Sequence, residues 1–85
     1  MTRPADLPKP IDLLAAALTC PASSLGPESA MYRDYGWDSF GHLRVILALE
    51  EAYGIEASES NFQKYTTLRA MEELYDRLRR GKESP

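Results

Sequence analysis

An aspartate and a serine stand together as Asp38-Ser39 in "YGWDSFGHL", residues 35–43, just where an apolar helical period begins. The first turn of a helix offers unpaired N–H groups and a partial positive charge. A hydroxyl there is a place where a phosphate ester would be stabilised. Asp38-Ser39 is equally an ordinary helix start, with Asp38 as N-cap, and the local residues leave both readings open. The other reactive side chains assemble into little. Cys20 and His42 could pair as thiol and imidazole, but no third group orients them. One histidine and no CxxC leave no zinc framework. "YGWDSFG" lacks the glycines of a phosphate-cradling loop and the G-x-S-x-G of a hydrolase turn. The carboxylate pairs Glu50–Glu51, Glu56–Glu59 and Glu72–Glu73 read as solvated faces. The chain is therefore expected to be neither an enzyme nor a metal protein.

Periodicity supplies the elements that must position Ser39. A first helix is predicted over 11–20, "IDLLAAALTC", stopped by Pro21. A long connection follows to Trp37. Leu25, Met31, Tyr32, Tyr35 and Trp37 should pin it to the core, with a helical turn around 29–35. Connections of this length are often functional. The second helix should run from Ser39 to Tyr53 and close on Gly54. At about 100° per residue, Val45, Ile46, Leu49 and Tyr53 face inward, with Leu43 at their border. His42 lies near that inner side, as a half-buried structural histidine. Phe40, the stem of Arg44, Leu47 and Glu51 form a second stripe on the other side. "SNFQKY" reads as a short helix anchored by Phe62 and Tyr65. The last helix, "TLRAMEELYDRLRR", has Thr67 as cap and Leu68, Met71, Tyr75 and Leu78 inside, with Leu74 beside them. Its pairs Glu73–Arg77 and Asp76–Arg80 are in the favourable i, i+4 order, and Gly81 should end it. The fold class is all-α: a four-helix bundle of three main helices and one short one. The expected division is a flexible arm at 1–10, a domain at 11–80 and a tail at 81–85.

Bulk composition narrows the class. The chain has 85 residues, 44% hydrophobic and 27% charged, with a formal net charge of −3. That is one small globular domain. Net acidity opposes a nucleic-acid role, although Arg69, Arg77, Arg79, Arg80 and Lys82 make the C-terminal part basic. A lone cysteine allows no internal disulfide and fits a reducing cytoplasm. The N-terminus "MTRPADLPKP" has no signal core, and no run reaches bilayer length. The chain opens on methionine and ends soon after the last helix, so it is expected to be a discrete protein; it is also expected to be cytoplasmic and monomeric.

"GWDSFGHLRVILALEEAYGI", residues 36–55, resembles the heart of the acyl carrier protein family, which includes peptidyl and aminoacyl carriers. The residues that carry the resemblance are Gly36, Asp38, Ser39 and Phe40, then Leu49, Glu50, Tyr53, Gly54 and Ile55. It extends over roughly 11–78 and matches the predicted order of helices. The resemblance implies that Ser39 takes a 4′-phosphopantetheine arm from coenzyme A, through a separate phosphopantetheinyl transferase and magnesium, with Asp38 positioning serine and metal. The arm's thiol would then carry an acyl or aminoacyl thioester between an activating enzyme and downstream tailoring or condensing enzymes. It also implies that the second helix is the docking face: Phe40, Arg44, Leu47 and Glu51, with Trp37 at its edge. An exposed apolar stripe on so small a domain agrees with that.

The chain departs from the family pattern in three ways. Phe40 replaces the commoner leucine or methionine after the serine. Gly41, His42 and Arg44 stand where fatty-acid carriers are typically acidic. Trp37 is bulky beside the attachment position. A partner that reads acidic charge would meet the opposite sign at Arg44. The expectation is thus a carrier in a dedicated natural-product or amino-acid-activation pathway. The alternatives are a carrier for fatty-acid synthesis, an unmodified helical interaction module, and a small nucleic-acid binder.

Overall fold

The computed structural model describes residues 7–34 and 36–83, with no account of the side chains at 82 and 83. Among the described residues four helices form in order: α1 Pro10–Leu18, α2 Ser39–Tyr53, α3 Glu59–Lys64 and α4 Leu68–Glu83. This is the expected all-α bundle of three longer helices and one short one. One 3-10 turn at Ala22–Ser24 interrupts the loop between α1 and α2. Tyr35 and residues 1–6 of the expected arm lie outside the described residues, as do Ser84 and Pro85 of the tail.

Three helix starts have the side-chain caps that free first-turn amides require. Asp38 accepts from Gly41 N–H at 2.9 Å, Ser58 from Asn61 N–H at 3.1 Å and Thr67 from Ala70 N–H at 3.0 Å. Helix α1 instead opens on Pro10, whose missing N–H is no loss at a first helical position. Gly54, at φ 74°, closes α2 and donates to the Glu50 carbonyl at 3.0 Å.

Two helix ends differ from expectation. Helix α1 stops at Leu18, because Thr19 turns left-handed at φ 54° and donates back into the last turn. Helix α4 runs through Gly81 to Glu83. A solvent-exposed glycine lowers helix propensity by about 1 kcal/mol, which does not end a helix anchored by a buried stripe upstream.

The three longer helices build one core, and Phe62 of α3 packs against it. Leu13, Leu14 and Leu18 of α1 meet Val45, Ile46, Leu49 and Tyr53 of α2, and Leu68, Met71 and Leu74 of α4 close the far side. Tyr65 and Trp37 complete it from the connections. Tyr53 reaches past the core and donates its hydroxyl to the Pro8 carbonyl at 2.6 Å, tying the segment before α1 to the end of α2. Among the described residues no buried side-chain polar atom lacks a partner. None of their helices is long and apolar enough to cross a membrane.

The long loop is ordered by backbone pairing rather than by the expected helical turn at 29–35. Met31 N–H donates to the Thr66 carbonyl at 2.9 Å and Leu68 N–H to the Ser29 carbonyl at 3.0 Å. An isolated antiparallel bridge joins Ala30 to Thr67. The turn that follows is closed by Asp34 Oδ2, which accepts from Ala30 N–H at 2.7 Å. Tyr32, at φ 67°, has a backbone that no right-handed helix allows. Leu25 and Met31 pack against the core as expected, whereas Tyr32 is 72% exposed and pins nothing there.

Candidate functional site

Ser39 is the first residue of α2, and it is exposed. Asp38 holds the helix start twice over. Its carboxylate takes Gly41 N–H, and its backbone carbonyl takes His42 N–H at 2.7 Å. The Ser39 hydroxyl projects from this fixed turn and is hydrogen-bonded to the hydroxyl of Tyr32, which reaches across from the loop. A phosphodiester on Ser39 Oγ would have open solvent around it, the positive end of a 15-residue helix beneath it and a hydroxyl beside it. These residues fit such a group.

The departures at Gly41, His42 and Trp37 have structural causes. Gly41 is buried where the loop passes over the first turn, and a Cβ there would collide with the carbonyl oxygen of Gly36. Gly36 itself takes φ 86°, which favours glycine. The two glycines let the Gly36–Trp37 segment lie flush against α2. Gly41→Ala is expected to cost about 1–3 kcal/mol through overpacking; chemical denaturation would show it as a lowered midpoint with an unchanged m-value.

His42, expected half-buried, is wholly enclosed. Its Nδ1 accepts from Trp37 Nε1–H at 2.9 Å, and its Nε2 lies 2.6 Å from the Phe62 carbonyl. A carbonyl only accepts, so Nε2 carries the hydrogen and the ring is the neutral Nε2–H tautomer. Burial pushes its pKa below 6.5, partly offset by the bond to Phe62. The imidazole thus staples the residue before Asp38 to α2 and α3. With both ring nitrogens engaged, it offers nothing to Cys20, and the thiol–imidazole pair is set aside.

The expected docking residues separate on inspection. Phe40 is 78% exposed and Leu47 49%, and Glu51 and Arg44 also lie at the surface. Trp37 does not belong with them. It is 1% exposed, because its indole is needed in the core as the donor to His42. Leu43, assigned above to the border of the inner stripe, is 50% exposed and joins Phe40 and Leu47 instead. The i, i+3, i+7 spacing of 40, 43 and 47 was the available signal for it. Arg44 has a second occupation: its Nε–H donates to the Ala17 carbonyl in the last turn of α1 at 3.0 Å. A cation is favoured at that helix end.

Comparison with known proteins agrees with the geometry. The sequence model of the phosphopantetheine attachment site family matches residues 11–75. An acyl carrier protein of Streptomyces coelicolor is 34% identical over 59 residues, covering 68% of this chain and 64% of that relative. The match therefore spans about 64% of the length of this curated relative. Members of this family are carriers rather than catalysts, and their prosthetic group is 4′-phosphopantetheine. A capped serine at the start of α2, the helical order around it and these two matches have one common explanation: the chain belongs to the acyl carrier protein family, defined by its phosphopantetheine attachment site.

Proposed function

We propose that Ser39 carries the phosphopantetheine arm and that this chain is a tether delivering an acyl or aminoacyl thioester to partner enzymes. The observation that carries the reading is the exposed Ser39 hydroxyl at the first position of α2, on a turn immobilised by Asp38, Gly36–Gly41 packing and the Trp37–His42 bond. In loading, Ser39 Oγ bonds to the phosphorus next to pantetheine in coenzyme A. The phosphoanhydride bond breaks, adenosine bisphosphate leaves, and the hydroxyl proton passes to a base of the transferase. Asp38 keeps the helix start in place, and its carboxylate, on the residue before the reacting serine, is where magnesium would be drawn. Once attached, the arm supplies a thiol for thioester formation. Its tethering raises the effective concentration of cargo at each enzyme.

A thiol count tests this. Cys20 is the chain's only cysteine, so loading should take the denatured protein from one titratable thiol to two. Ser39→Ala should remain at one. A second thiol appearing in Ser39→Ala would contradict the assignment.

The exposed stripe of Phe40, Leu43 and Leu47, flanked by Arg44 and Glu51, is the proposed docking surface for the transferase, the activating enzyme and the downstream enzymes. The cation at Arg44 and the absence of an acid between Ser39 and Ala48 support service in a dedicated natural-product or amino-acid-activation pathway over fatty-acid synthesis. The lone cysteine, which allows no internal disulfide, supports a place in the reducing cytoplasm. Arg44→Glu is expected to slow acylation by the native activating enzyme about tenfold or more, and to change modification by a broad-specificity transferase much less. Because Arg44 also bonds to α1, thermal unfolding of the variant accompanies the assay. Equal effects on both reactions would remove the partner-specific role.

A further inference from the structure

Tyr32 is unusual on three independent counts. Its backbone is left-handed at φ 67°, a region an aromatic residue seldom occupies. Its ring is 72% exposed, so burial does not keep it there. Its hydroxyl nevertheless meets Ser39 Oγ.

The surrounding bonds over-determine its position. Met31 N–H is held by Thr66 at 2.9 Å, Tyr32 N–H donates to the Trp37 carbonyl at 2.6 Å, and Asp34 Oδ2 closes the turn on Ala30 N–H at 2.7 Å. The loop is thus fastened to the segment leading into α4 on one side and, through the Trp37–His42 bond, to α2 on the other. An aromatic arm fixed at its root in this way delivers its hydroxyl to one place.

We propose that Tyr32 is a positioning residue of the attachment site: its hydroxyl holds Ser39 Oγ before loading and donates to the phosphodiester afterwards. The inference rests on Ser39 being the loaded residue. Its chemistry follows from the change at Oγ. In the free serine either hydroxyl can donate. After esterification Oγ has no hydrogen, so Tyr32 alone can donate, and the charged non-bridging oxygens are the better acceptors. The contact is therefore stronger in the loaded protein, and loading should tighten the turn Met31–Asp34. It would also fix the root of the arm on the loop side of α2.

The test uses the full chain, loaded with coenzyme A, magnesium and a broad-specificity transferase, as wild type and as Tyr32→Phe. The exposed ring makes the phenylalanine variant compatible with the fold. Intact mass first establishes loading of both. In wild type, amide exchange at Met31–Asp34 should slow by about fivefold on loading, the difference between a neutral and a charge-assisted bond. In Tyr32→Phe that slowing should vanish, and the phosphodiester phosphorus resonance should move relative to wild type. Loading of both proteins with unchanged loop exchange in wild type, or with coincident phosphorus resonances, overturns the role of Tyr32 and leaves Ser39 intact. Absence of any mass gain in wild type overturns the attachment, and this inference with it.

Discussion

Trp37→Ala is expected to bring the domain close to unfolding. The indole is wholly enclosed, and its removal leaves a cavity in the core beside His42. Truncations of this kind cost about 3–5 kcal/mol. A domain has only on the order of 5–15 kcal/mol in total, and one this small buries proportionately less surface. The substitution also strips His42 Nδ1 of its donor, which adds an unsatisfied buried acceptor. Trp37→Phe separates the two contributions. It keeps most of the volume but loses the Nε1–H and part of the bicyclic ring, so at least about 1–3 kcal/mol should go, and less than for alanine. Urea unfolding of the three proteins gives the order wild type, Trp37→Phe, Trp37→Ala. A Trp37→Ala midpoint near that of wild type would mean that the indole does not hold the loop on α2.

Stability should also fall as the solution is acidified through the histidine range. His42 is the chain's one histidine, and its folded pKa is depressed below 6.5 by burial. The unfolded chain takes up a proton near pH 6.5 while the folded chain does not. The stability this group confers is fully present above about pH 6.5 and is lost as pH falls from there through the folded pKa. The slope in that window approaches about 1.4 kcal/mol per pH unit for one proton. Protonation would also place a hydrogen on Nδ1 facing the Trp37 N–H, so the two donors would oppose each other. Urea midpoints at about pH 7.5 and about pH 5.5 read the effect directly. Imidazole NMR should show the neutral Nε2–H tautomer persisting below the range of an exposed histidine. Titration of His42 at or above its ordinary value would contradict the account.

What could be read from the sequence follows from how local each feature is. Helix α2 was legible to the residue because Asp38 and Gly54 are strong signals at its two ends. Its inner stripe was legible because Val45, Ile46, Leu49 and Tyr53 repeat at helical spacing. The end of α1 was not, since Thr19 rather than glycine took the left-handed position. The end of α4 was missed for the opposite reason, a glycine that stays helical. Around Ser39 the missing information is non-local. Nothing in the order of residues says that the Phe62 carbonyl, 20 positions away, will meet His42. An aromatic residue before Asp-Ser looks like a surface feature until the buried imidazole that needs its N–H is in view. Gly41 and His42 then cease to be changes of surface charge and become packing. Arg44 remains at the surface, with one bond spent on α1. Tyr32 was legible only as one more apolar side chain, because its reach to Ser39 depends on a left-handed backbone.

The account rests most heavily on Ser39 as the point of attachment. The most direct measurement is the intact mass of the folded protein after incubation with coenzyme A, magnesium and a broad-specificity phosphopantetheinyl transferase, beside Ser39→Ala. The account predicts that wild type gains the mass of one phosphopantetheine and that Ser39→Ala gains none. No gain in folded wild type, or an equal gain in both proteins, would contradict it.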